Sequence, residues 1–219
     1  MAYCQFINKA ERELGIDSPE YDSIKKDIRH FFEKALLENK IQLAADGPNM
    51  DVERQQIDTV VIHHTSHTPG YRLSYMNAVQ LLNVYAAYFC KPSDDEKSLT
   101  GKPVWSNHLQ EGQPVFYVYH WLLRMDGRAE RLLADNHIGW HAGNWDVNTR
   151  SVGICLDNDY EFADPEPATL KMLAQFIKKH YPQITAKDII GHHEAGNHTV
   201  CPGRNWLTGW KPQLLNYFN

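Results

Sequence analysis

Two histidine pairs and one cysteine are the residues of this chain best suited to metal chemistry. His63-His64 and His192-His193 lie far apart in the sequence, and Cys201 follows the second pair closely. Two neutral imidazoles and one thiolate leave the fourth position of a tetrahedral zinc ion open to water, as a catalytic zinc site requires. The pattern therefore predicts a zinc hydrolase.

A closed structural zinc site is the alternative for the same residues. It needs a fourth protein ligand, which His64, His193 or His198 could supply. Adjacent residues on an extended strand point to opposite faces, so if His63 and His192 face the metal, His64 and His193 are expected to turn away from it. In that case core or supporting roles are expected for His64 and His193, and the open site is favoured.

Short β-branched runs predict the strands that would position the histidines. Ile57–Ile62 predicts a buried strand with His63 at its end. Lys187–Ile190 predicts a second, shorter strand that leads to His192. Groups that emerge where a strand ends are held by a rigid sheet, which suits a functional site.

The middle of the chain predicts further strands and two loops. Ser151–Leu156 reads as a strand, and Val115–Leu123 with Arg128–Leu133 predicts an antiparallel hairpin. Residues 91–114 lack periodicity and predict a long surface loop. Residues 137–148 are rich in Gly, Trp, His and Asn and predict a loop that lines a polar cleft.

Apolar residues at helical spacing predict helices at residues 18–37, 74–89 and 166–180, with Ser18 as the N-cap of the first. Strands and helices interleave without regular repetition, which favours an α/β fold, a single domain with a central mixed β-sheet flanked by helices. Residues 1–50 are predicted as an N-terminal helical extension, and residues 51–219 as the zinc-binding domain.

Composition and charge restrict the partners of the chain. The 219 residues are 42% hydrophobic and 22% charged, as in ordinary globular proteins, with a formal net charge of -5. Basic residues form no run longer than a pair, so nucleic acid is not expected as a partner. The N-terminus lacks a signal-peptide pattern, and no segment has the roughly 20 apolar residues that span a bilayer. A cytoplasmic enzyme, or one released by lysis, is expected; the oligomeric state stays open.

Several stretches occur in an order typical of one known family. They are Val60-Val61-Ile62-His63-His64-Thr65, Val118-Tyr119-His120-Trp121, Ile138-Gly139-Trp140-His141-Ala142-Gly143-Asn144, Ser151-Val152-Gly153-Ile154, Gly191-His192-His193-Glu194 and Cys201-Pro202-Gly203. From about Ile57 to Trp206 the chain resembles the zinc-dependent N-acetylmuramoyl-L-alanine amidases, which include phage lysins, bacterial recycling amidases and peptidoglycan recognition proteins.

The resemblance implies that His63, His192 and Cys201 are ligands of a zinc cofactor. Tyr119 matches the family's tyrosine, whose hydroxyl hydrogen-bonds the carbonyl oxygen of the scissile amide as that oxygen gains charge. Thr199 stands where many members have a lysine, two positions before the third ligand. It is assigned a catalytic role with Tyr119, although it supplies no positive charge.

Other residues receive supporting assignments from the resemblance. His141, His64 and Asn144 are predicted to contact the substrate. Glu194 could orient a ligand or accept a proton, and it is given no catalytic role. Cys155 stands where the recycling branch tends to have a glutamate, which favours the phage-lysin and recognition-protein branch.

The activity implied is hydrolysis of the amide between N-acetylmuramic acid and L-alanine, with peptidoglycan or a muropeptide as substrate. Two alternatives stay open. One is a module that binds muropeptides without cutting them; the other is a zinc peptidase that cuts within the stem peptide.

Overall fold

The computed structural model describes residues 19–90, 98–196 and 198–218, which divide into two compact units. The first unit contains the described residues up to Asn49 and those between Arg72 and Tyr117; the second contains Met50–Tyr71 and those from Val118 onward. Residues 72–117 thus group with the described residues before Met50. The predicted division into domains at residue 50 stays a prediction. Ser18 lies outside the described residues.

The strands, in chain order, are β1 (Thr59–His64), β2 (His108–Gln110), β3 (Gln113–Val115), β4 (Trp121–Leu123), β5 (Ala129–Arg131), β6 (Ser151–Leu156) and β7 (Ile189–Gly191). The α-helices are α1 (Asp22–Leu37), α2 (Leu73–Val84), α3 (Trp145–Arg150), α4 (Pro167–His180) and α5 (Lys211–Asn216). A π-helical turn, Tyr85–Phe89, extends α2, and another, Trp206–Trp210, precedes α5. Every helix in the described ranges is too short or too polar to span a bilayer.

Five strands of the second unit form one mixed sheet in the order β5-β4-β6-β1-β7. The strands β1, β4, β6 and β7 run parallel, and β5 pairs with β4 in antiparallel orientation. The register places His63 beside Cys155 and His64 beside Leu156, so β1 continues through the histidine pair instead of ending before it. The predicted mixed sheet is confirmed.

One face of this sheet is an apolar core covered by α4 and the C-terminal residues. Ile62 of β1 packs in the same fully buried cluster as Leu170 and Leu173 of α4. Burial of each such side chain stabilises the fold by about 1.5–3 kcal/mol. The helical spacing predicted the buried side of α4 correctly. Trp206 and Trp210 complete the core, and they belong to a C-terminal helical segment that the sequence did not predict.

The predicted hairpin is confirmed, although its first strand is shorter than expected. β4 and β5 pair in antiparallel orientation from Trp121 onward. Val115 ends β3, so the predicted strand Val115–Leu123 is interrupted. One cause lies in the first unit, where the backbone N–H of Phe116 donates to the side chain of Asn77, 2.6 Å away, instead of to a neighbouring strand.

The two predicted loops contain short elements. Within residues 91–114, residues 91–97 lie outside the described residues, and β2 and β3 form a second antiparallel hairpin. Its two turn residues, Glu111 and Gly112, have φ values of 51° and 77°. Positive φ at both positions is typical of the tight turn whose twist matches paired strands. Within residues 137–148, α3 begins at Trp145.

Helix α1 has the predicted C-terminal end, but its apolar side is only partly buried. Ala35 is buried, Ile28 and Phe31 are exposed, and the charged Glu33 is buried as well. The Glu33 carboxylate accepts hydrogen bonds from Arg72 Nη2, at 2.6 Å, and from Ser74 Oγ, at 2.8 Å. A buried charge is tolerated when it is paired in this way.

Candidate active site

Three predicted ligands meet on the other face of the five-stranded sheet. The ligand atoms of His63, His192 and Cys201 all lie within 4.8 Å of one another. The Sγ of Cys201 is 3.8 Å from the Nδ1 of His63. Ligand atoms of a tetrahedral zinc ion with ordinary bond lengths are about 3.3–3.7 Å apart. The donor set and its spacing therefore fit zinc, with only small adjustments needed on binding.

The cluster is closed by protein on one side and reaches the surface on the other. His63, in the middle of β1, is fully buried, whereas His192 and Cys201 are partly exposed. Within the described residues, this group contains three protein donors and no carboxylate. This arrangement suits an open metal site better than a closed structural one.

The turn that carries His192 is held by Glu194. His192 directly follows β7. The Glu194 carboxylate accepts hydrogen bonds from the backbone N–H of Gly191, at 2.7 Å, from Trp206 Nε1, and from Lys211 Nζ, at 2.7 Å. These donors hold the pKa of Glu194 below its ordinary value, against the opposing effect of burial. Glu194 is thus engaged in fixing the His192 turn.

Cys201 is fixed by its neighbours in the same segment. The backbone N–H and the Nδ1–H of His193 both donate to the carbonyl oxygen of Cys201, at 3.0 and 2.9 Å. The backbone N–H of Cys201 donates to Thr199 Oγ1, at 3.2 Å. His193 therefore links the two ligand segments, the supporting role expected of it, and Thr199 contacts the backbone of a predicted ligand.

Burial sets the protonation of the donors. It lowers the pKa of His63 well below the ordinary value and that of His192 to about 4, so both imidazoles are neutral near pH 7, the form that binds metal. Burial raises the pKa of the Cys201 thiol to about 12, opposed by a hydrogen bond from the His64 backbone. A cation at this position would favour the thiolate, because coordinated thiols lose their proton.

Tyr119 lies beside the donor cluster. Its ring centroid is 4.8 Å from that of His63, and the residue is partly exposed just before β4. The predicted catalytic tyrosine and the predicted ligands are thus brought together, although β1 and β4 are not neighbours in the sheet.

His141 and His64 are buried, at 4% and 5% exposure. The Nδ1 of His141 is 3.0 Å from His63 Nε2, and its Nε2 is 3.3 Å from Ser151 Oγ. The Nδ1 of His64 accepts a hydrogen bond from the backbone N–H of Tyr160, at 2.8 Å. Both rings are hydrogen-bonded inside the protein, and their contact with substrate stays a prediction. The expectation that His64 turns away from the donors agrees with this placement.

Asn144 is exposed, but its side chain is also engaged. Its Oδ1 accepts a hydrogen bond from the backbone N–H of Val147, at 3.4 Å, as the N-cap of α3. Its Nδ2 donates to the carbonyl oxygen of Ala195, at 3.0 Å. The side chain thus connects α3 to the turn that carries His192.

Two supporting residues, Ser151 and Tyr160, were not predicted from the sequence. Each contacts one of the buried histidines, His141 or His64, through a tertiary hydrogen bond. A serine at the start of a strand and a backbone N–H have no spacing that relates them to a distant histidine. No signal in a single sequence could have identified them.

The chain matches the family model described as N-acetylmuramoyl-L-alanine amidase over residues 53–204. A curated relative, the 1,6-anhydro-N-acetylmuramyl-L-alanine amidase AmpD of Haemophilus influenzae, is 33% identical over 81 residues, which are 33% of this chain and 44% of that protein. The chain therefore matches less than half of the length of this relative.

The solved structures to which the chain is similar are more distant in sequence. The N-acetylmuramoyl-L-alanine amidase LysC from Clostridium intestinale URNW is 20% identical with a TM-score of 0.48, over 80% of this chain and 95% of that one. Peptidoglycan recognition protein-LE in complex with tracheal cytotoxin is 18% identical with a TM-score of 0.47, over 75% and 84%. The family assignment rests on the sequence match, which spans most of the chain and includes Tyr119 and all three clustered donors. The chain belongs to the N-acetylmuramoyl-L-alanine amidase family.

Proposed function

We propose that the protein hydrolyses the amide between the lactyl group of N-acetylmuramic acid and L-alanine, in peptidoglycan or its fragments. The observation that carries the proposal is the convergence of His63, His192 and Cys201 beside Tyr119 within the region that matches the family. Two imidazoles, one thiol and a nearby phenol are a suitable set for metal-assisted amide hydrolysis.

The donor cluster is proposed to hold zinc through His63, His192 and Cys201. Zinc bound there supplies a Lewis acid that polarises a carbonyl oxygen. His63 and His192 reach the site as neutral imidazoles because burial lowers their pKa values. The hydrogen bonds of His193 and Glu194 hold the two ligand segments in place before any metal binds.

Tyr119 is proposed to donate its hydroxyl hydrogen to the carbonyl oxygen of the scissile amide as negative charge develops there. A phenol is suited to this role because it donates strongly without having to ionise. Thr199 Oγ1 accepts the Cys201 N–H, which leaves the threonine hydroxyl hydrogen to donate towards substrate. Because Thr199 carries no charge, Tyr119 provides the larger share of the stabilisation that the side chains supply.

The proposal is tested by mass spectrometry of products from a defined muramyl-pentapeptide, incubated with the zinc-loaded full chain. The expected products are the intact muramic sugar and the complete peptide with a free N-terminal alanine. Cys201→Ala, treated in parallel, should give neither. Binding of substrate with no product would indicate a binding module, and fragments cut within the peptide would indicate a zinc peptidase. Either result would overturn the proposal.

A further inference from the structure

A buried line of hydrogen-bonding side chains leads away from the donor cluster. The Nε2 of His63 is 3.0 Å from the Nδ1 of His141. The Nε2 of His141 is in turn 3.3 Å from the Oγ of Ser151. His63 and Ser151 are fully buried and His141 nearly so, so water does not compete for these bonds.

The proton positions along this line follow from the donor atom of His63. Its Nδ1 faces the Sγ of Cys201, 3.8 Å away, and is the nitrogen available to a metal. A nitrogen that binds metal carries no proton, so the neutral His63 ring must carry its proton on Nε2. That N–H donates to the Nδ1 of His141. The Nε2 of His141 then carries the second proton and donates it to the Ser151 hydroxyl.

The backbone around His141 leaves room for this ring. A Cβ at Gly153 would lie 2.7 Å from the Cγ of His141, too close to be accommodated without movement of the ring. A Cβ at Gly139 would first meet the carbonyl oxygen of Val118 and the Cε1 of His120. Glycine at residue 153 of β6 is therefore required for His141 to reach His63.

The neighbouring His120 does not offer an alternative partner. Its ring is 5.9 Å from that of His141, centroid to centroid. Its Nδ1 accepts the backbone N–H of Gly153, at 3.1 Å, and its Nε2 donates to the carbonyl oxygen of His137, at 3.0 Å. Both nitrogens are used by backbone groups, so His141 is left to bond His63 and Ser151.

We infer that His141 is a positioning residue, anchored by Ser151, that fixes the tautomer and ring orientation of His63 so that Nδ1 is presented to zinc. The inference rests on the proposed function, because it presumes that the cluster holds zinc. His141 acts only through His63. Hydrogen bonds of this kind to a ligand imidazole raise its basicity and are worth about 10–100-fold in metal affinity.

The test compares zinc dissociation constants of His141→Leu and His141→Asn by competition with a chromophoric chelator. Leucine removes the acceptor, and the expected result is zinc affinity about 10–100-fold below that of the unchanged chain. Asparagine can place its carboxamide oxygen near the position of Nδ1 and is expected to restore much of the loss. Ser151→Ala, which removes only the anchor, is expected to weaken zinc binding less than leucine does.

Leu173→Ala is the matched control, because Leu173 lies in the apolar core and belongs to neither the donors nor the hydrogen-bonded line. It should lower stability and leave the zinc affinity of the folded protein unchanged. Undiminished affinity in His141→Leu, or asparagine no better than leucine, would overturn the inference. If His141→Leu does not fold, unchanged affinity in both Ser151→Ala and His141→Asn would overturn the role of the anchored line, and weaker binding in Ser151→Ala would support it. Failure of the unchanged chain to bind zinc would instead overturn the proposed function.

Discussion

Alternate residues of β1 serve opposite faces of one sheet. Ile62 enters the apolar core with α4, whereas Val61 packs with Ala142 and His63 meets the other metal donors. The core face is filled by large side chains, including Trp206. The site face holds buried imidazoles that need fixed hydrogen-bond partners.

The two faces of the sheet differ in the substitutions that each can tolerate. Dispersion and burial are nondirectional, so the core face depends mainly on volume and shape. On the site face, a buried imidazole that lacks its hydrogen-bond partner destabilises the fold. The partner must also lie at the right distance and angle. Changes on the core face should therefore affect stability, and changes on the site face should affect zinc and catalysis.

The largest expected effect is from Cys201→Ala on the site face. Loss of the thiolate leaves two imidazoles, and retained zinc and turnover should both fall to background. Zinc content after gel filtration and product formation are the measurements. Cys90→Ala, which removes a free cysteine of the first unit, should keep both. Full activity in zinc-free Cys201→Ala would contradict the mechanism.

Tyr119→Phe separates chemistry from metal binding on the same face. Removal of one donor to a developing oxyanion typically lowers kcat by about 10²–10³-fold. Because Tyr119 is not proposed as a ligand, zinc content should be unchanged. Steady-state kinetics with metal analysis would check this, and unchanged kcat would remove Tyr119 from the mechanism.

Leu173→Ala probes the core face. Loss of a fully buried leucine should lower the free energy of unfolding by about 2–5 kcal/mol. Zinc affinity and kcat of the folded enzyme should stay the same. Urea denaturation and chelator competition measure the two quantities, and a parallel loss of zinc affinity would show that the faces are coupled.

Gly153→Ala and Ile154→Val compare neighbours on β6 that face opposite sides. The new methyl group at residue 153 would press on His141, and overpacking of this kind costs about 1–3 kcal/mol. It should also weaken zinc binding. Ile154→Val should cost about 0.5–1.5 kcal/mol and leave zinc affinity unaffected. Equal effects on zinc from both variants would argue against the distinction between the faces.

The pH dependence of stability tests the burial of His120. Burial lowers its pKa to about 3 from the ordinary 6.5, with the charge of Arg54 adding to the shift. As pH falls, the unfolded chain takes up the proton before the folded chain does. The stability that the neutral, buried His120 contributes is therefore complete above pH 6.5 and is lost as pH falls towards 3. Over that window His120 should contribute a slope of up to about 1.4 kcal/mol per pH unit. Urea titrations of metal-free protein at several pH values give the free energy of unfolding as a function of pH. Its slope should be shallower for His120→Asn than for the unchanged chain, and identical slopes would refute the assignment of this pH dependence to His120.

Sequence patterns predicted the elements better than their details. The β-branched runs identified β1 and β6, which are buried at every residue, and the helical period identified α4, which buries one side. The break after Val115 was missed, since it depends on a tertiary hydrogen bond to Asn77. Local pattern carries no information about such a partner.

For the site, the family motifs indicated the three clustered residues but not the residues that support them. The structure brings His63, His192 and Cys201 together as the motifs predicted. His141 was expected to contact the substrate, and the structure shows it buried and hydrogen-bonded to Ser151, with Gly153 leaving room for its ring. Whether a loop histidine faces solvent or core is decided by packing between distant segments.

The central claim is that one thiolate and two imidazoles of this chain hold zinc, and X-ray absorption of the zinc-loaded full chain tests it most directly. The predicted spectrum has a single sulfur at about 2.3 Å and nitrogen or oxygen ligands at about 2.0–2.1 Å. The sulfur should disappear from any zinc that Cys201→Ala retains. A spectrum without sulfur, or a sulfur signal that persists in Cys201→Ala, would contradict the account.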